Sequence, residues 1–202
     1  MKLTDILPLN RWIELEKEIN ARFGLDANVF DTAGIRISDF KKWANKLCPE
    51  IKATDKGQSF ICAVAHMNIA NQAMESRQAV IEECDAGLVK VVVPIFADDT
   101  FLGAVGACGV LLDDGEVETF LINKITDIDE EKAEALAADI ACEATIALEV
   151  SEQIALLAST GLLGLPYDPD LGGGTPTQQV SGKKQNTTDL SKNNSCFWEF
   201  RH

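Results

Sequence analysis

Histidine is nearly absent from this chain of 202 residues: there are two, His66 and the terminal His202. Any Ser-His-Asp or Cys-His catalytic unit would therefore have to be built on His66. Basic residues are also scarce, 18 Lys and Arg against 32 Asp and Glu, for a formal charge of -14. A polyanionic phosphate backbone would be repelled over most of such a surface, which argues against direct nucleic-acid binding. No apolar run approaches the roughly 20 residues of a membrane helix, and no basic stretch followed by an apolar core and a cleavage site opens the chain. A cytoplasmic, soluble protein is expected. Six cysteines are too sparse for a disulfide framework in a chain that can build its own core, so reduced thiols or metal ligands are expected.

What is present is enough apolar residue, 46%, for one ordinary globular core. Leu9, Trp12, Ile13, Leu15, Ile19 and Phe23 recur at helical spacing up to Gly24, a C-cap residue. Ala27 to Asp31 and Gly34 to Ser38 read as a β-hairpin. Asp39 is expected to cap a short helix carrying Phe40, Trp43 and Leu47 that Pro49 ends. A further helix is expected from a Ser59 cap to Ser76, and strands at Ala79 to Glu83, Val89 to Phe96 and Phe101 to Leu112. Helix resumes near Val117, and Asp129 to Ser159 reads as one long helix capped by Asp129. In it Ala133, Ile140, Ala147 and Ile154, with Ala137, Ala144, Ser151 and Ala158, form a seam of small residues suited to homodimer contact or to packing on the chain's own sheet. From Gly161 the composition shifts to Pro, Gly and polar residues. We read residues 1–160 as one domain and 161–202 as a flexible tail ending in the aromatic cluster Phe197, Trp198 and Phe200.

This order of elements is that of a small α+β sensory domain of the PAS or GAF kind, an antiparallel sheet with flanking helices and a long C-terminal helix. The segment Cys84-Asp85-Ala86-Gly87-Leu88, then Pro94-Ile95, Leu102-Gly103 and Gly106 to Gly109, resembles the centre of the PocR sensory domain family. Cys48-Pro49 and the helix of Cys62 and His66 are also similar. The resemblance spans roughly Leu9 to Leu157. It implies a PAS-like fold that senses small hydrocarbon derivatives such as alcohols and diols, and a signalling role rather than an enzymatic one. Family members are usually fused to an output module, and none is visible in these residues, so a signalling partner protein is expected.

Cys48, Cys62, His66 and Cys84 make a Cys3His set that suits zinc, with iron as second choice. Cys62 and His66 leave one helix face a turn apart. Three readings stay open for the set: a metal site, small buried fillers with a hydrogen-bonded histidine, or a redox sensor using a low-pKa Cys62 beside a protonated His66. Cys108 and Cys142 read as packing residues. For a small-molecule ligand the expected contacts are Cys84, Val91, Val93, Ile95 and Gly106, with Glu83 and Asp85 as weaker candidates for a hydroxyl partner. Val91, Val93 and Ile95 share a strand face by two-residue alternation, the glycine thins the sheet, and the ligand role itself is what the resemblance implies. No phosphate loop is present, because Gly182-Lys183-Lys184 lacks the upstream glycines, and Asp127 to Glu131 does not follow the calcium-loop pattern.

Overall fold

The structure is a computed structural model, and it describes residues 1–112 and 115–141. A short helix and a longer one start the chain. Leu3–Ile6 (α1) leads into Leu9–Phe23 (α2), whose buried stripe is Trp12, Leu15, Glu16, Ile19 and Asn20, and Gly24 ends it in the left-handed region at φ 69°. Trp12 is fully buried and its indole Nε1 donates to the Leu3 carbonyl at 3.1 Å, so α1 is held to α2.

Four antiparallel strands follow in the spatial order β1-β4-β3-β2: Asp26–Asp31 (β1), Val80–Glu83 (β2), Val89–Ala97 (β3) and Thr100–Cys108 (β4). The β-branched runs and the Asp98-Asp99 turn, with Asp98 at φ 51°, account for the β3–β4 hairpin. Alternation sorts the sheet. Ala27, Val29, Val91, Val93, Ile95, Val105 and Ala107 belong to the core cluster built with Trp12, Leu15 and Ile19 of α2. On the opposite face Val92 and Ala104 pack with Ile69 and Ala73 of the helix Val64–Ser76 (α4). A third cluster beside the sheet joins the helix Leu47–Lys52 (α3) to Thr119–Thr126 (α5) and Glu130–Ala137 (α6). The domain is thus α+β, one antiparallel sheet with helices on both faces.

Glu16 is a polar exception inside the first core. Its carboxylate is fully buried and accepts from the backbone N–H of Val29 at 2.8 Å and the hydroxyl of Ser38 at 2.6 Å, tying α2 to the sheet edge and to the loop beyond it. Burial raises its pKa against the lowering effect of those hydrogen bonds and of Arg36. Glu16→Ala removes both acceptors from buried donors and is expected to cost about 2 kcal/mol in chemical denaturation. Glu16→Gln keeps one acceptor and should cost less; equal losses would show that packing, not hydrogen bonding, holds this contact.

Several elements depart from the sequence reading. The hairpin return is reduced to one bridge between Phe30 and Arg36 on the outer edge of β1, where the Glu16 carboxylate takes the Val29 N–H, while the inner edge pairs fully with β4. No helix forms from Asp39; it begins at Leu47, with Pro49 inside its first turn. A proline costs nothing there, since the first four N–H groups of a helix have no intrahelical acceptor. The Asn45 side chain caps this turn by accepting from Cys48 N at 2.8 Å. The next helix is entered at Thr54, whose Oγ1 accepts from Gly57 N at 2.9 Å, and not at Ser59. Its first part, Gly57–Ala63, is π-helical and runs directly into α4. Asp129 caps as expected, accepting from Lys132 N, yet α6 stops at Ala137. The chain turns there so that Ile140 enters the core and the carbonyl of Ala141 accepts from Leu111 N at 3.0 Å. Residues from Cys142 onward, which hold the rest of the small-residue seam and the tail, lie outside the described residues.

Candidate functional site

The site lies between the sheet and the π-helix and α4 that cover it. Direct cross-strand partners point to the same side, so Asp26, Cys108 and Lys90 form one row across β1, β4 and β3, and Asn28, Gly106 and Val92 form the next. Phe30 follows along β1. A Cβ on Gly106 would stand 3.1 Å from the Phe30 ring, tighter than ordinary contact, and 3.7 Å from Cε1 of His66, so the missing side chain lets the Phe30 ring rest close against the sheet beside the imidazole. The two rings stack with centroids 3.8 Å apart. Beyond them a cavity of about 50 Å³ is lined by Phe30, His66, Ala70, Phe101 and Ala104 together with the polar Asp31, Thr32 and Asn71, with the exposed Met67 and Met74 at its mouth.

Two buried polar atoms bordering Gly106 have no hydrogen-bond partner: Nδ1 of His66 and Oδ1 of Asn28. Asn28 spends its amide on Asp26, donating to Oδ1 at 3.1 Å, which leaves its oxygen free to accept. His66 is pulled down to a pKa of about 3, by burial first and then by Lys90 and Lys52, so it is a neutral imidazole at physiological pH.

The cysteines collect beside this row. Cys48 on α3, Cys62 on the π-helix and Cys84 in the β2–β3 turn share one apolar cluster. Cys108 joins them electrostatically, acting on Cys48, Cys62 and Cys84 alike. All four are free. Burial pushes Cys48 and Cys84 up, and Cys62 up to about 11 even though Lys52 and Lys90 oppose the rise. Protonated thiols beside a neutral histidine are the reverse of the low-pKa Cys62 and protonated His66 expected of a redox sensor, and desolvation is the reason.

Of the Cys3His set, the structure gathers Cys48, Cys62 and Cys84 but turns His66 toward Phe30. Among the described residues, no three Cys, His, Asp or Glu side chains converge on a point where an ion could sit. Of the expected ligand contacts, Gly106 borders the site and Cys84 lies in the thiol cluster, whereas Val91, Val93 and Ile95 are in the core against α2. Glu83 at the end of β2 and Asp85 in the β2–β3 turn are exposed. Asn28, Lys52 and Lys90 are not among the site residues expected from the sequence, and Cys108 is expected there only as a packing residue. The alternation that places Val91 on one face also places Lys90 on the other, and a lysine inside a strand of valines was the available signal.

A family model described as the sensory domain found in PocR matches residues 5–159. The chain belongs to the PocR sensory-domain family. No curated protein and no solved structure matches it. As a PocR domain it is sensory by family, and its Cys84-Asp85-Ala86-Gly87-Leu88 segment has a structural reason. Cys84 and Leu88 close the β2–β3 turn through Cys84 N donating to the Leu88 carbonyl at 2.9 Å, and Gly87 takes φ 79°. A Cβ on Gly87 would come within 2.1 Å of the Glu116 carbonyl, so the turn is also where the segment before α5 docks. Among the described residues of the PocR domain, no helix is long and apolar enough to cross a membrane.

Proposed function

We propose that this PocR domain binds a small alcohol or diol between the sheet and α4, and that binding is read by a partner protein rather than followed by catalysis. The observation that supports it is the orphaned buried Nδ1 of His66, a residue that lines the cavity, with Asn28 Oδ1 also unpartnered on the strand opposite Gly106. A buried acceptor without a donor is costly, and a ligand hydroxyl supplies the donor while its short carbon chain takes the cavity. The volume, about 50 Å³, is close to that of one or two waters at roughly 30 Å³ each, which restricts the apolar part to a few carbon atoms unless Met67 and Met74 move aside. A binding signal requires two states of different affinity. The segment from Glu116 through α5 and α6 touches the thiol side of the site through Gly87 and the third core cluster, and is the route by which occupancy would reach the C-terminal part of the chain.

A thermal-shift screen with short alcohols and diols tests this. A member of the series is expected to raise the unfolding midpoint of the wild-type chain, by the equivalent of about 2.7 kcal/mol at a hundredfold excess over Kd. Gly106→Leu, which fills the gap beside His66, should abolish the response. Equal responses in both proteins, or none in the wild type, would defeat the proposal. Elemental analysis of the same preparation reads the rival, zinc or iron held by Cys48, Cys62, His66 and Cys84: stoichiometric metal with no ligand response would favour it.

A further inference from the structure

From Gly57 to Met74, through the π-helix and most of α4, no residue is Asp, Glu, Lys or Arg, in a chain that is 25% charged. One face of this stretch is accounted for: Ile61, Ile69 and Ala73 are buried in the core clusters. The opposite face of a surface helix should be polar. It instead presents Phe60, Val64, Met67 and Met74 to solvent, 60%, 42%, 48% and 36% exposed, with Asn71 between the last two. The steps between these five are four, three, four and three, the spacing of a seam that packs against a second helix. An uncharged apolar strip of this extent marks a contact surface.

The chain itself holds a matching row. The family model runs on to residue 159, past Ala141 where the described residues end, so residues 142–159 lie within the family domain. The described chain also ends on the side where the strip begins. Ile140 shares a core cluster with Ile61, the neighbour of Phe60, and the Ala141 carbonyl accepts from the N–H of Leu111 in that same cluster. From Ile140 the sequence continues through Ala144, Ala147, Ser151 and Ile154, again in steps of four, three, four and three. Each row is therefore 15 residues, about 22 Å of helix. Aligned from Ile140 and Phe60, small residues meet large ones, the one polar residue of each row meets the other, and Glu149 and Glu152 fall off the seam.

We infer that residues 144–154 of this same chain dock as a helix along the exposed face of α4 and parallel to it, with Ala147 on Met67, Ser151 beside Asn71 and Ile154 on Met74. Met67 and Met74 also form the mouth of the cavity, so the docked segment closes it. A ligand that pushes either methionine aside then acts on the segment directly, and the two states a sensor requires are segment docked and segment released. The docking goes beyond the alcohol reading and does not depend on it; a failed thermal-shift screen leaves it standing.

Hydrogen exchange on the full chain tests it. Amides of 144–154 should be protected in the wild type. Val64→Glu combined with Met67→Glu, both at exposed positions, should speed their exchange at least tenfold while β3 keeps its protection. If β3 loses protection too, the variant has unfolded, and Met67→Cys combined with Ala147→Cys decides instead. Mild oxidation of that pair is expected to give a disulfide between positions 67 and 147 within one chain, located by peptide mass. Free exchange over 144–154 in the wild type, or unchanged exchange in a folded glutamate variant, would overturn the inference. So would the absence of that disulfide, or a disulfide that joins two chains, which would assign the strip to a second copy.

Discussion

Gly103→Ala is expected to lose about 3 kcal/mol or more of folding stability, a large share of what a domain of this size has to spare. Gly103 sits in β4 at φ 147°, a conformation closed to side chains, and its absent Cβ would lie 2.1 Å from the Phe30 carbonyl and 2.9 Å from a methyl of Leu3. The first of those atoms is backbone and cannot step aside without breaking the β1–β4 register at Asp31. Gly24→Ala is the matched control. Gly24 also has positive φ, 69°, but nothing stands within 4 Å of the added carbon, so only the left-handed penalty of about 1 kcal/mol applies. Urea denaturation of the two variants measures the difference; equal losses would mean that the contact with Phe30 is not a constraint.

Acidification should destabilise the domain through His66, and the sign follows from its pKa. The folded value of about 3 lies below the unfolded 6.5, so between them the unfolded chain binds a proton that the folded chain refuses. Stability from this group is complete above pH 6.5 and is lost as the pH falls toward 3. From about pH 6 to about pH 4 the loss is roughly 2 to 3 kcal/mol. Carboxylates titrate in the same window, so the informative quantity is the difference between the wild type and His66→Gln, which cannot take up the proton. The variant should show a shallower decline in unfolding midpoint over that range. Parallel declines would show that His66 charges freely in the folded state and is not shielded as described.

The elements legible in the sequence were those whose signal is local and periodic. The stripe of α2, its Gly24 cap and the three strands from Val80 to Cys108 needed only spacing and β-branched density. Proline 49 misled because its effect depends on where in a helix it falls, and that position was set by the Asn45 cap, a contact with no pattern behind it. The long helix from Asp129 failed for a tertiary reason: burying Ile140 and pairing Ala141 with Leu111 outweighs continuing a run of good helix formers. At the site, the grouping of Cys48, Cys62 and Cys84 was readable because all three stand beside motif residues. The partners that give the site its charge come from three separate segments, Asp26, Lys52 and Lys90, brought together only by strand register and by the docking of α3.

The outer rim of the sheet has a bearing on how copies of this domain coexist in a crowded solution. The β2 edge exposes only the four residues Val80–Glu83, and two of them are glutamates. A second copy laying its own β2 alongside would bring four carboxylates into one narrow ribbon, between bodies that already repel through their surplus of acidic groups. Shortness and like sign together discourage such chain-to-chain zippering, and the domain can remain dispersed without a covering element on that side.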